Sequence, residues 1–366
     1  MKVLDSRAAR LCLAFAVAAG LALTGAAVAP AASAETAPAF LTSLDCRSVT
    51  QCVAVGDNNP DHPTQLEGDN WNGTAWVRVT MPSPPGSVRV RMNGVACPAS
   101  HPCVAVGKAQ PKSGGSYAIG ALWNGKSWSV ARAAAPGAGS QLTAVACPAV
   151  HSCYAAGSYL PKGSGRTVLI EHWNGTAWAQ QPAAAPPGSH DGILYSISCA
   201  ATSMCVAIGD DNSGPLIERW NGKAWAATRP PSSTSESIWS VSCPATTRCF
   251  AVGENNLGLG VLVDQWNGKT WTRSFPVVAA DFGPMLKSVS CSSASACIVV
   301  GNDATVAFAD RWDGQDWVPL KMTFTGGTPR SFGQVRCLSA TSCVALAGGS
   351  GSEFWNGSTW RTVPTT

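Results

Sequence analysis

Charged side chains are scarce in this chain of 366 residues, since Asp, Glu, Lys and Arg make up only 13% of it and leave a net charge of +4. Nucleic acids and acidic membranes are bound through clustered Lys and Arg. No basic stripe runs along this sequence, so we expect no nucleic-acid partner. Helical periodicity is also missing, and short β-rich runs between Gly, Pro, Asn and Asp take its place. The composition therefore favours an all-β fold.

A long apolar run is absent everywhere except at the N-terminus. Three basic residues precede an Ala-, Leu- and Val-rich segment over residues 11–29, and Ala32-Ser33-Ala34 offers an A-x-A cleavage site. This order is typical of a secretory signal peptide over residues 1–34, with a retained membrane anchor as the alternative. No later stretch approaches the roughly 20 apolar residues that cross a bilayer. We therefore expect a secreted, extracellular protein with no membrane span after cleavage.

Cysteine, in contrast, is abundant and regularly spaced. Of 15 cysteines, 14 form seven pairs with C-x(5)-C spacing, and Cys12 lies in the predicted signal peptide. The pairs are Cys46 with Cys52, Cys97 with Cys103, Cys147 with Cys153, Cys199 with Cys205, Cys243 with Cys249, Cys291 with Cys297, and Cys337 with Cys343. This is not the spacing of a zinc site, and no histidine recurs beside it. Each pair is therefore predicted to form a disulfide across a tight turn, in keeping with export.

Tryptophan follows a second repeat with the same number of copies. Fourteen of the 15 tryptophans form W-[ND]-G-x-x-W units, and only Trp239 lies outside them. The units are Trp71 with Trp76, Trp123 with Trp128, Trp173 with Trp178, Trp220 with Trp225, Trp266 with Trp271, Trp312 with Trp317, and Trp355 with Trp360. Two independent spacings that both recur seven times indicate seven copies of one structural unit.

Each unit spans 44 to 52 residues and holds four short β-rich runs. Stacked sheets or a solenoid would also accommodate repeats, but radial closure protects the sheet edges. We therefore predict a seven-bladed β-propeller with four antiparallel strands and one disulfide per blade. The prediction places a single domain over residues 35–366. Its blades lie at about 41–81, 88–136, 140–187, 192–231, 237–277, 284–322 and 330–364.

The tryptophan units predict a hairpin between the third and fourth strands. Asn-Gly favours a two-residue type I′ turn, which would pair Trp71 with Thr74 and Asp69 with Trp76. The residue two before the first Trp is acidic in six copies, namely Asp69, Glu171, Glu218, Asp264, Asp310 and Glu353. On this register the carboxylate faces the second indole and accepts its N–H. Six equivalent carboxylates indicate scaffold groups rather than a catalytic acid.

The order of these runs resembles a kelch-type propeller repeat, with a glycine after the second strand and a tryptophan leading the fourth. The hairpin, as in residues 266–271, also resembles the Asp-box turn of sialidase-like propellers. The S-V-S-C-P-x(4)-C-x-A-V-G unit of residues 240–253 is similar to that of secreted propeller-repeat proteins of high-GC Gram-positive bacteria. This resemblance covers nearly all of residues 41–363. It implies the fold and export, and it carries no activity to transfer.

Recognisable catalytic patterns are few. A sialidase-like mechanism needs an arginine cluster, a tyrosine nucleophile and a carboxylic acid, yet none of the four tyrosines stands in a distinctive context. The G-x-S-x-G and H-E-x-x-H motifs are absent. We assign no catalytic residue. Carboxylates that meet only in the fold would still make a glycosidase, so a secreted glycoside hydrolase or lyase with acids from separate blades remains the alternative.

The loops that differ between copies are the candidate binding surface. They include residues 57–64, 108–117, 210–215 and 276–284, which follow second or fourth strands and so fall on one face of a propeller. We call this face the variable loop face. The turns on the opposite face are short and uniform.

Two aromatic residues mark the candidate site on this face. Tyr195 and Trp239 stand four residues before their cysteines, where the other copies have Thr42, Asn93, Thr143, Lys287 and Gly333. The polar residues nearby are His190, Asp191, Glu236, Asp210, Asp211 and Glu254. Together they predict a sugar-stacking platform, with partly buried filler at the rim as the alternative.

Calcium is a further candidate ligand. Asp57, Asn59 and Asp61 place oxygen atoms at alternate positions, as calcium sites do, but Asp and Asn are also common turn formers. We assign no metal ligand and no required cofactor.

The leading hypothesis is a secreted, non-catalytic propeller that binds a carbohydrate or an extracellular protein through the variable loop face. We expect the closed ring to be a monomer. A structural role in the cell envelope is a third possibility.

Overall fold

Seven four-stranded antiparallel sheets make up the structure, which is a computed structural model. It describes residues 40–100, 102–134, 139–184, 186, 188–231, 236–255, 260–274, 283–303, 306–324, 329, 331–348 and 351–365. The signal peptide predicted over residues 1–34 lies outside the described residues. The described residues contain only strands, turns and loops, and none of them forms an apolar helix long enough to cross a bilayer.

Each blade uses four consecutive strands in sequence order. The first strands are β1 Phe40–Ser48, β5 Ser87–Ala96, β9 Gln141–Ala149, β13 Ile193–Ala201, β17 Glu236–Ala245, β21 Met285–Ser293 and β25 Phe332–Ser339. The second strands are β2 Gln51–Asp57, β6 Cys103–Pro111, β10 Ser152–Tyr159, β14 Met204–Asp211, β18 Arg248–Asn255, β22 Ala296–Asn302 and β26 Ser342–Ala347. The third strands are β3 Leu66–Trp71, β7 Tyr117–Trp123, β11 Thr167–Trp173, β15 Gly214–Trp220, β19 Val261–Trp266, β23 Ala307–Trp312 and β27 Gly351–Trp355. The fourth strands are β4 Trp76–Arg78, β8 Trp128–Arg132, β12 Trp178–Gln181, β16 Trp225–Thr228, β20 Trp271–Ser274, β24 Trp317–Pro319 and β28 Trp360–Pro364.

The disulfide prediction is confirmed in every blade. All seven C-x(5)-C pairs are bonded at the turn between the first and second strands, with Cα atoms 3.9 to 4.2 Å apart. The bonds join Cys46 to Cys52, Cys97 to Cys103, Cys147 to Cys153, Cys199 to Cys205, Cys243 to Cys249, Cys291 to Cys297, and Cys337 to Cys343.

The disulfides and the tryptophan hairpins lie at the same end of the blades. In blade 1, Cys46 and Cys52 are direct register partners, and Cys52 in turn faces Trp71. The second cysteine of every other blade faces the first tryptophan of its hairpin in the same way, as Cys205 faces Trp220. This end of each blade is opposite the variable loop face.

The predicted register of the tryptophan hairpin is wrong by two residues. Trp71 pairs with Trp76, not Thr74, and Asp69 pairs with Arg78, not Trp76. The loop is four residues long because the Asn72 side chain organises it: its Oδ1 accepts the backbone N–H groups of Thr74 and Ala75 at 2.9 Å. The two indoles of each hairpin consequently face each other directly, with ring centroids 5.3 to 5.8 Å apart.

In blade 1 the indole N–H groups donate to acceptors other than the predicted carboxylate. Trp71 Nε1 donates to the Val49 carbonyl of the neighbouring disulfide turn at 3.0 Å, and Trp76 Nε1 donates to Ser352 Oγ of blade 7 at 2.9 Å. The repeated carboxylates are buried in the blades. In blades 3 and 4 they accept backbone N–H groups from the preceding blade, Glu171 from Ala134 and Glu218 from Ala184. Glu171 and Glu218 therefore join neighbouring blades, which is a scaffold role.

Every first strand carries a β-bulge at the residue four before its first cysteine. In blade 4, Leu194 pairs with Gly209 and Ser196 pairs with Ile208, so Tyr195 is the extra residue between them. The same register shift occurs in all seven blades. We call this residue the channel position, because the bulge re-aims its side chain toward the centre of the ring.

The glycine that lies four residues after the second cysteine in six copies is explained by this bulge. A Cβ atom on Gly209 would lie 1.9 Å from the carbonyl oxygen of Ile193, and the matching distances at the other five glycines are 1.9 to 2.0 Å. Blade 7 has Ala347 there, and its strand pairing ends at Phe332. The close approach of two backbones, rather than an unusual backbone dihedral, is therefore what demands glycine.

Blade 7 meets blade 1 through the same kinds of contact that join the other blades. In blades 4 to 7, serine side chains of one first strand accept backbone N–H groups of the next, as in Ser196 to Val241 at 3.2 Å and Ser288 to Val335 at 3.1 Å. Between blades 7 and 1, Gln334 Oε1 accepts the Leu44 N–H at 2.7 Å. Arg336 Nε also lies 2.7 Å from Asp45 Oδ1. Across the part of the chain that the structure describes, every sheet is built from four consecutive strands, so blade 7 meets blade 1 through side chains and packing.

Candidate functional site

The seven first strands surround an axial channel of about 370 Å³. Its lining includes the channel-position residue of every blade, which are Thr42, Asn93, Thr143, Tyr195, Trp239, Lys287 and Gly333. Because the first strands begin at the variable loop face, these side chains lie at the channel mouth on that face. The lining is mostly polar. Apart from the channel-position residues, much of it consists of serine side chains that form the hydrogen bonds between neighbouring first strands.

Three of these side chains gather on one side of the mouth, and we call them the aromatic corner: Tyr195, Trp239 and Lys287. The rings of Tyr195 and Trp239 lie 5.0 Å apart with an interplanar angle of 42°. Lys287 Nζ lies over the Trp239 ring at 5.4 Å from its centroid, a cation–π geometry. All three side chains are half-buried, so each keeps a surface that a ligand can contact.

Two carboxylates behind the aromatic rings fix their orientation. Trp239 Nε1 donates to Glu254 Oε1 at 3.1 Å, and the hydroxyl groups of Tyr195 and Ser237 donate to Asp210. Burial raises the pKa of Asp210 to about 6, against the opposing effect of those hydrogen bonds. Burial and the nearby Asp210 charge raise the pKa of Tyr195 to about 12. At neutral pH the corner therefore holds a neutral phenol on an ionised carboxylate.

The structure thus brings four of the eight predicted site residues together, namely Tyr195, Trp239, Asp210 and Glu254. His190 and Asp191 form a separate, exposed pair with Nδ1 and Oδ2 3.1 Å apart. Asp191 has a positive φ of 57° and its Oδ1 accepts the backbone N–H of Arg166 in blade 3. This pair belongs to the loop that enters blade 4.

Glu236 and Asp211 are engaged in ion pairs inside their own blades. Glu236 contacts Arg273, which also binds Asp264 with Nη2 and Oδ2 2.7 Å apart. Asp211 binds Arg229 with Oδ2 and Nη2 also 2.7 Å apart, and it accepts a hydrogen bond from Ser189. Both carboxylates are more than nine-tenths buried, so they connect strands within the blade rather than face the channel.

The residues considered for calcium organise a turn. Asp57 Oδ1 accepts the Asn59 N–H at 3.2 Å, and Asn59 Oδ1 accepts the Asp61 N–H at 2.9 Å. Asp57 Oδ2 lies 2.9 Å from Arg91 Nε. In the described part of the chain, no three His, Cys, Asp or Glu side chains cluster in a way that holds a metal ion.

Sequence reasoning missed two cations of the variable loop face, Arg91 and Lys108, although the repeat contains the signal that marks them. Two further positions lie near the variable loop face, where the first strands begin and the second strands finish. They are six residues before the first cysteine and five after the second, and we call them rim positions. Side chains at these positions meet across blades: Lys108 Nζ donates to Gln141 Oε1 at 3.1 Å, and Arg91 pairs with Asp57. A comparison of the seven copies at these positions would have found Arg91 and Lys108 as exceptions.

One segment matches the sequence motif of a phosphate-binding loop but does not have the structure of one. Residues 120–127 have the G-x(4)-G-K-S spacing of a phosphate-binding P-loop, which requires a loop between a strand and a helix. Here they form the end of β7 and the tryptophan-hairpin turn that leads into β8. This segment is scaffold.

No protein-family model and no curated protein matches this chain. Its fold is similar to that of a GH74 xyloglucanase from Xanthomonas campestris, with a TM-score of 0.63 and 12% sequence identity over 90% of this chain. This chain spans only 55% of that enzyme's length.

A second similar structure is that of YCF48 bound to D1 peptide, with a TM-score of 0.54 and 13% identity over 88% of this chain and 91% of the other. YCF48 from Cyanidioschyzon merolae is similar to the same degree, with a TM-score of 0.54 and 12% identity over 88% of this chain and 95% of the other. At such identities the likeness establishes the fold alone: this chain is a seven-bladed β-propeller.

Proposed function

We propose that this protein is a secreted, non-catalytic β-propeller that binds a carbohydrate or a protein ligand on its variable loop face, at the mouth of the axial channel. The observation that carries the proposal is the aromatic corner, where Tyr195 and Trp239 lie side by side with Lys287 over the indole. These are the residues that depart most from the small or polar side chains at the same position in other blades.

The corner has the physical properties of a binding platform. Aromatic rings supply a large contact area at low cost in conformational entropy, and their polar tips hold them in place. Glu254 fixes the indole of Trp239, and Asp210 fixes the phenol of Tyr195. A ligand therefore meets rings that are already oriented, which reduces the entropy lost on binding.

The similar structures support both ligand classes without choosing between them. One is named as a xyloglucanase and another is bound to a peptide. Since one fold hosts unrelated functions, the ligand of this chain has to be argued from its own side chains.

A secreted glycoside hydrolase or lyase is the second candidate. Asp210 favours it, because a carboxyl group with a pKa of about 6 beside a substrate pocket has the character of a general acid. A glycosidase also needs a second carboxylate across the bond that is broken. The neighbouring Glu254 holds the indole of Trp239, so the non-catalytic proposal accounts better for both acids.

Export is the remaining part of the proposal. Disulfides persist in oxidising compartments, and seven of them in one chain fit an extracellular protein. The signal-like segment of residues 1–34 supports the same conclusion.

The test is to apply the purified full-length mature protein to a glycan array and a peptide array and to repeat each positive with variants. We expect Trp239→Ala and Tyr195→Ala to weaken binding at least about tenfold, the loss of roughly 1.4 kcal/mol or more that removal of an aromatic anchor brings. Leu160→Ala is the matched control, because Leu160 is an exposed apolar residue in a loop of the same face. It should bind like the wild type.

Two results would overturn the proposal. Binding that survives Trp239→Ala and Tyr195→Ala would place the site elsewhere. Empty arrays together with glycan cleavage by the wild type, abolished in Asp210→Asn, would establish the hydrolase or lyase instead.

A further inference from the structure

A second cavity, of about 320 Å³, lies on the variable loop face between blades 1 and 2. We call it the basic cleft. One wall is the blade 1 loop with Pro60, Asp61 and Pro63, and the other carries Arg89, Arg91 and Lys108 of blade 2. Its size is within the range of small-molecule sites.

The cations of this cleft are exceptions to the repeat. At the rim position six residues before the first cysteine, the copies have Phe40, Arg91, Gln141, Ile193, Ser237, Met285 and Ser331. At the rim position five after the second cysteine, they have Asp57, Lys108, Ser158, Asp210, Glu254, Asn302 and Gly348. Only blade 2 places a cation at either position. A scaffold requirement would recur around the ring, so these two residues serve something particular to this cleft.

The charge on Lys108 is held in an unfavourable place. Burial lowers its pKa first, and the positive charges of Arg91 and Arg166 lower it further. Its ammonium group donates to the neutral amide of Gln141, and no carboxylate among the described residues forms an ion pair with it. Half-buried like charges destabilise a fold, and such arrangements concentrate where a ligand of opposite charge binds.

Arg91 is oriented by a buried carboxylate and a backbone carbonyl, and the exposed Arg89 contacts an exposed histidine. Arg91 donates from Nε to Asp57 at 2.9 Å and from its Nη2 to the Pro60 carbonyl. Arg89 Nη2 lies 3.1 Å from His62 Nδ1. Three cations face two carboxylates, Asp57 and Asp61, so the cleft keeps a net positive charge. Guanidinium groups held in this way present planar donors that match an oxyanion.

We propose that the basic cleft binds an oxyanion, meaning a carboxylate, sulfate or phosphate group, with Lys108 and Arg89 as its main ligands and Arg91 as a third donor. The proposal goes beyond the binding role of the aromatic corner, because it concerns a different cavity and different side chains. It stands if the corner binds nothing, and the variants that test the two sites do not overlap.

The first experiment is calorimetric titration of the mature protein with inorganic sulfate and with phosphate at constant ionic strength, so that general screening stays the same. We expect saturable binding that Lys108→Met and Arg89→Gln each weaken at least fivefold. The matched control is Lys126→Met, which removes an exposed cation of the same blade from the opposite face. The control and Trp239→Ala should both bind anions like the wild type.

A second arm separates the sources of the anion. Polygalacturonate, dextran sulfate and neutral dextran are titrated under the same conditions. Binding of one charged polymer at least tenfold tighter than the free ions identifies a polymer-borne carboxylate or sulfate as the ligand. If inorganic sulfate or phosphate binds as tightly as the charged polymers, the free ion is the ligand. Both outcomes support anion binding in the basic cleft, provided that Lys108→Met weakens the binding.

Three outcomes would overturn it: no saturable binding of any anion, full binding by a double variant that combines Lys108→Met with Arg89→Gln, or an equal loss in Lys126→Met. Arg89→Gln also guards against misfolding, because Arg89 belongs to the exposed wall of the cleft and its removal leaves Lys108 in place. Unfolding temperatures of all variants are compared first, and a variant that unfolds early is replaced by Lys108→Gln.

Discussion

The buried carboxylate that precedes six of the seven tryptophan hairpins has a different environment from blade to blade. Asp264 is neutralised by Arg273, and Glu353 accepts a hydrogen bond from Thr362 at 2.9 Å. Asp310 is almost fully buried, and neither of its oxygens accepts a hydrogen bond from a described residue. Burial raises the pKa of Asp310 to about 7. One repeated position therefore contains both stabilising and destabilising carboxylates.

A pH dependence of stability follows at Asp310. Its folded-state pKa lies above the unfolded value, so the native state keeps a proton that the unfolded chain releases between about pH 4 and pH 7. The free energy of unfolding should therefore fall as pH rises through this window. We expect Asp310→Asn to be more stable than the wild type at pH 8 by about 1 to 3 kcal/mol, with little gain at pH 4. Urea denaturation at both pH values, with disulfides intact, measures it.

The control for this experiment is Asp313→Asn, which gives the exposed turn of blade 6 the asparagine of the other six copies. Backbone hydrogen bonds from Asp316 and Gln315 lower the pKa of Asp313, so its titration falls below the window. In Asp313→Asn, the difference between the free energies of unfolding at pH 4 and pH 8 should be the same as in the wild type. An Asp310→Asn variant with the wild-type pH dependence would contradict the assignment.

At the scale of elements, the first strand and the end of the second strand act as one unit. The bulge places a side chain at the channel mouth, and the glycine opposite leaves room for the strand-one carbonyl. The shared backbone geometry explains how one scaffold presents six different residue types at the same place in its seven blades. It also links the stability of a blade to the shape of the site.

Replacing Gly209 tests this link. Gly209→Ala puts a Cβ atom 1.9 Å from the Ile193 carbonyl oxygen, so the backbone of the bulge has to move. We expect a loss of about 2 kcal/mol or more in the free energy of unfolding, together with weaker ligand binding at Tyr195. Chemical denaturation measures the change in stability. Titration with the ligand identified on the arrays measures the change in binding.

Gly351→Ala is the matched control, since its added Cβ would meet nothing nearer than 3.9 Å. A change within about 0.5 kcal/mol is expected there. Equal stability of Gly209→Ala and the wild type would show that the bulge adapts and that glycine is not required.

At the scale of the whole molecule, the seven blades are stabilised locally and joined by side chains. Each disulfide closes a short turn within one blade, and apolar clusters are shared between neighbouring blades, including blades 7 and 1. Closing such a short loop contributes at most about 2 kcal/mol per bridge. The ring is therefore held by interfaces between blades, while the disulfides keep each small sheet together.

The mature protein should contain no free thiol. All 14 cysteines after residue 34 are paired. We expect titration with a thiol reagent in denaturant to detect none without reductant and all 14 after full reduction. Two or more thiols per unreduced chain would contradict the disulfide framework in solution.

The fold could be predicted from the sequence because its determinants are local. Seven cysteine pairs and seven tryptophan pairs at constant spacing specify blade number, strand order and disulfides, since each contact joins neighbours in the chain. The hairpin register was wrong because the Asn72 side chain builds a four-residue loop, whereas the dipeptide Asn-Gly alone favours two residues. Tyr195 and Trp239 stand out in the sequence as the aromatic exceptions at their position in the repeat, whereas Lys287 is one of the other, non-aromatic residues there.

The candidate sites depended on the tertiary structure. The sequence by itself determined which residues are scaffold, because repetition identifies them wherever they lie in space. Only the packing of neighbouring blades decided that Tyr195, Trp239 and Lys287 from three blades share one corner, and that Arg91 and Lys108 face a cleft with the blade 1 loop. The physical reason is that packing of the blades brings side chains from distant parts of the chain into contact. These side chains bury each other and their charges interact only after the blades have packed.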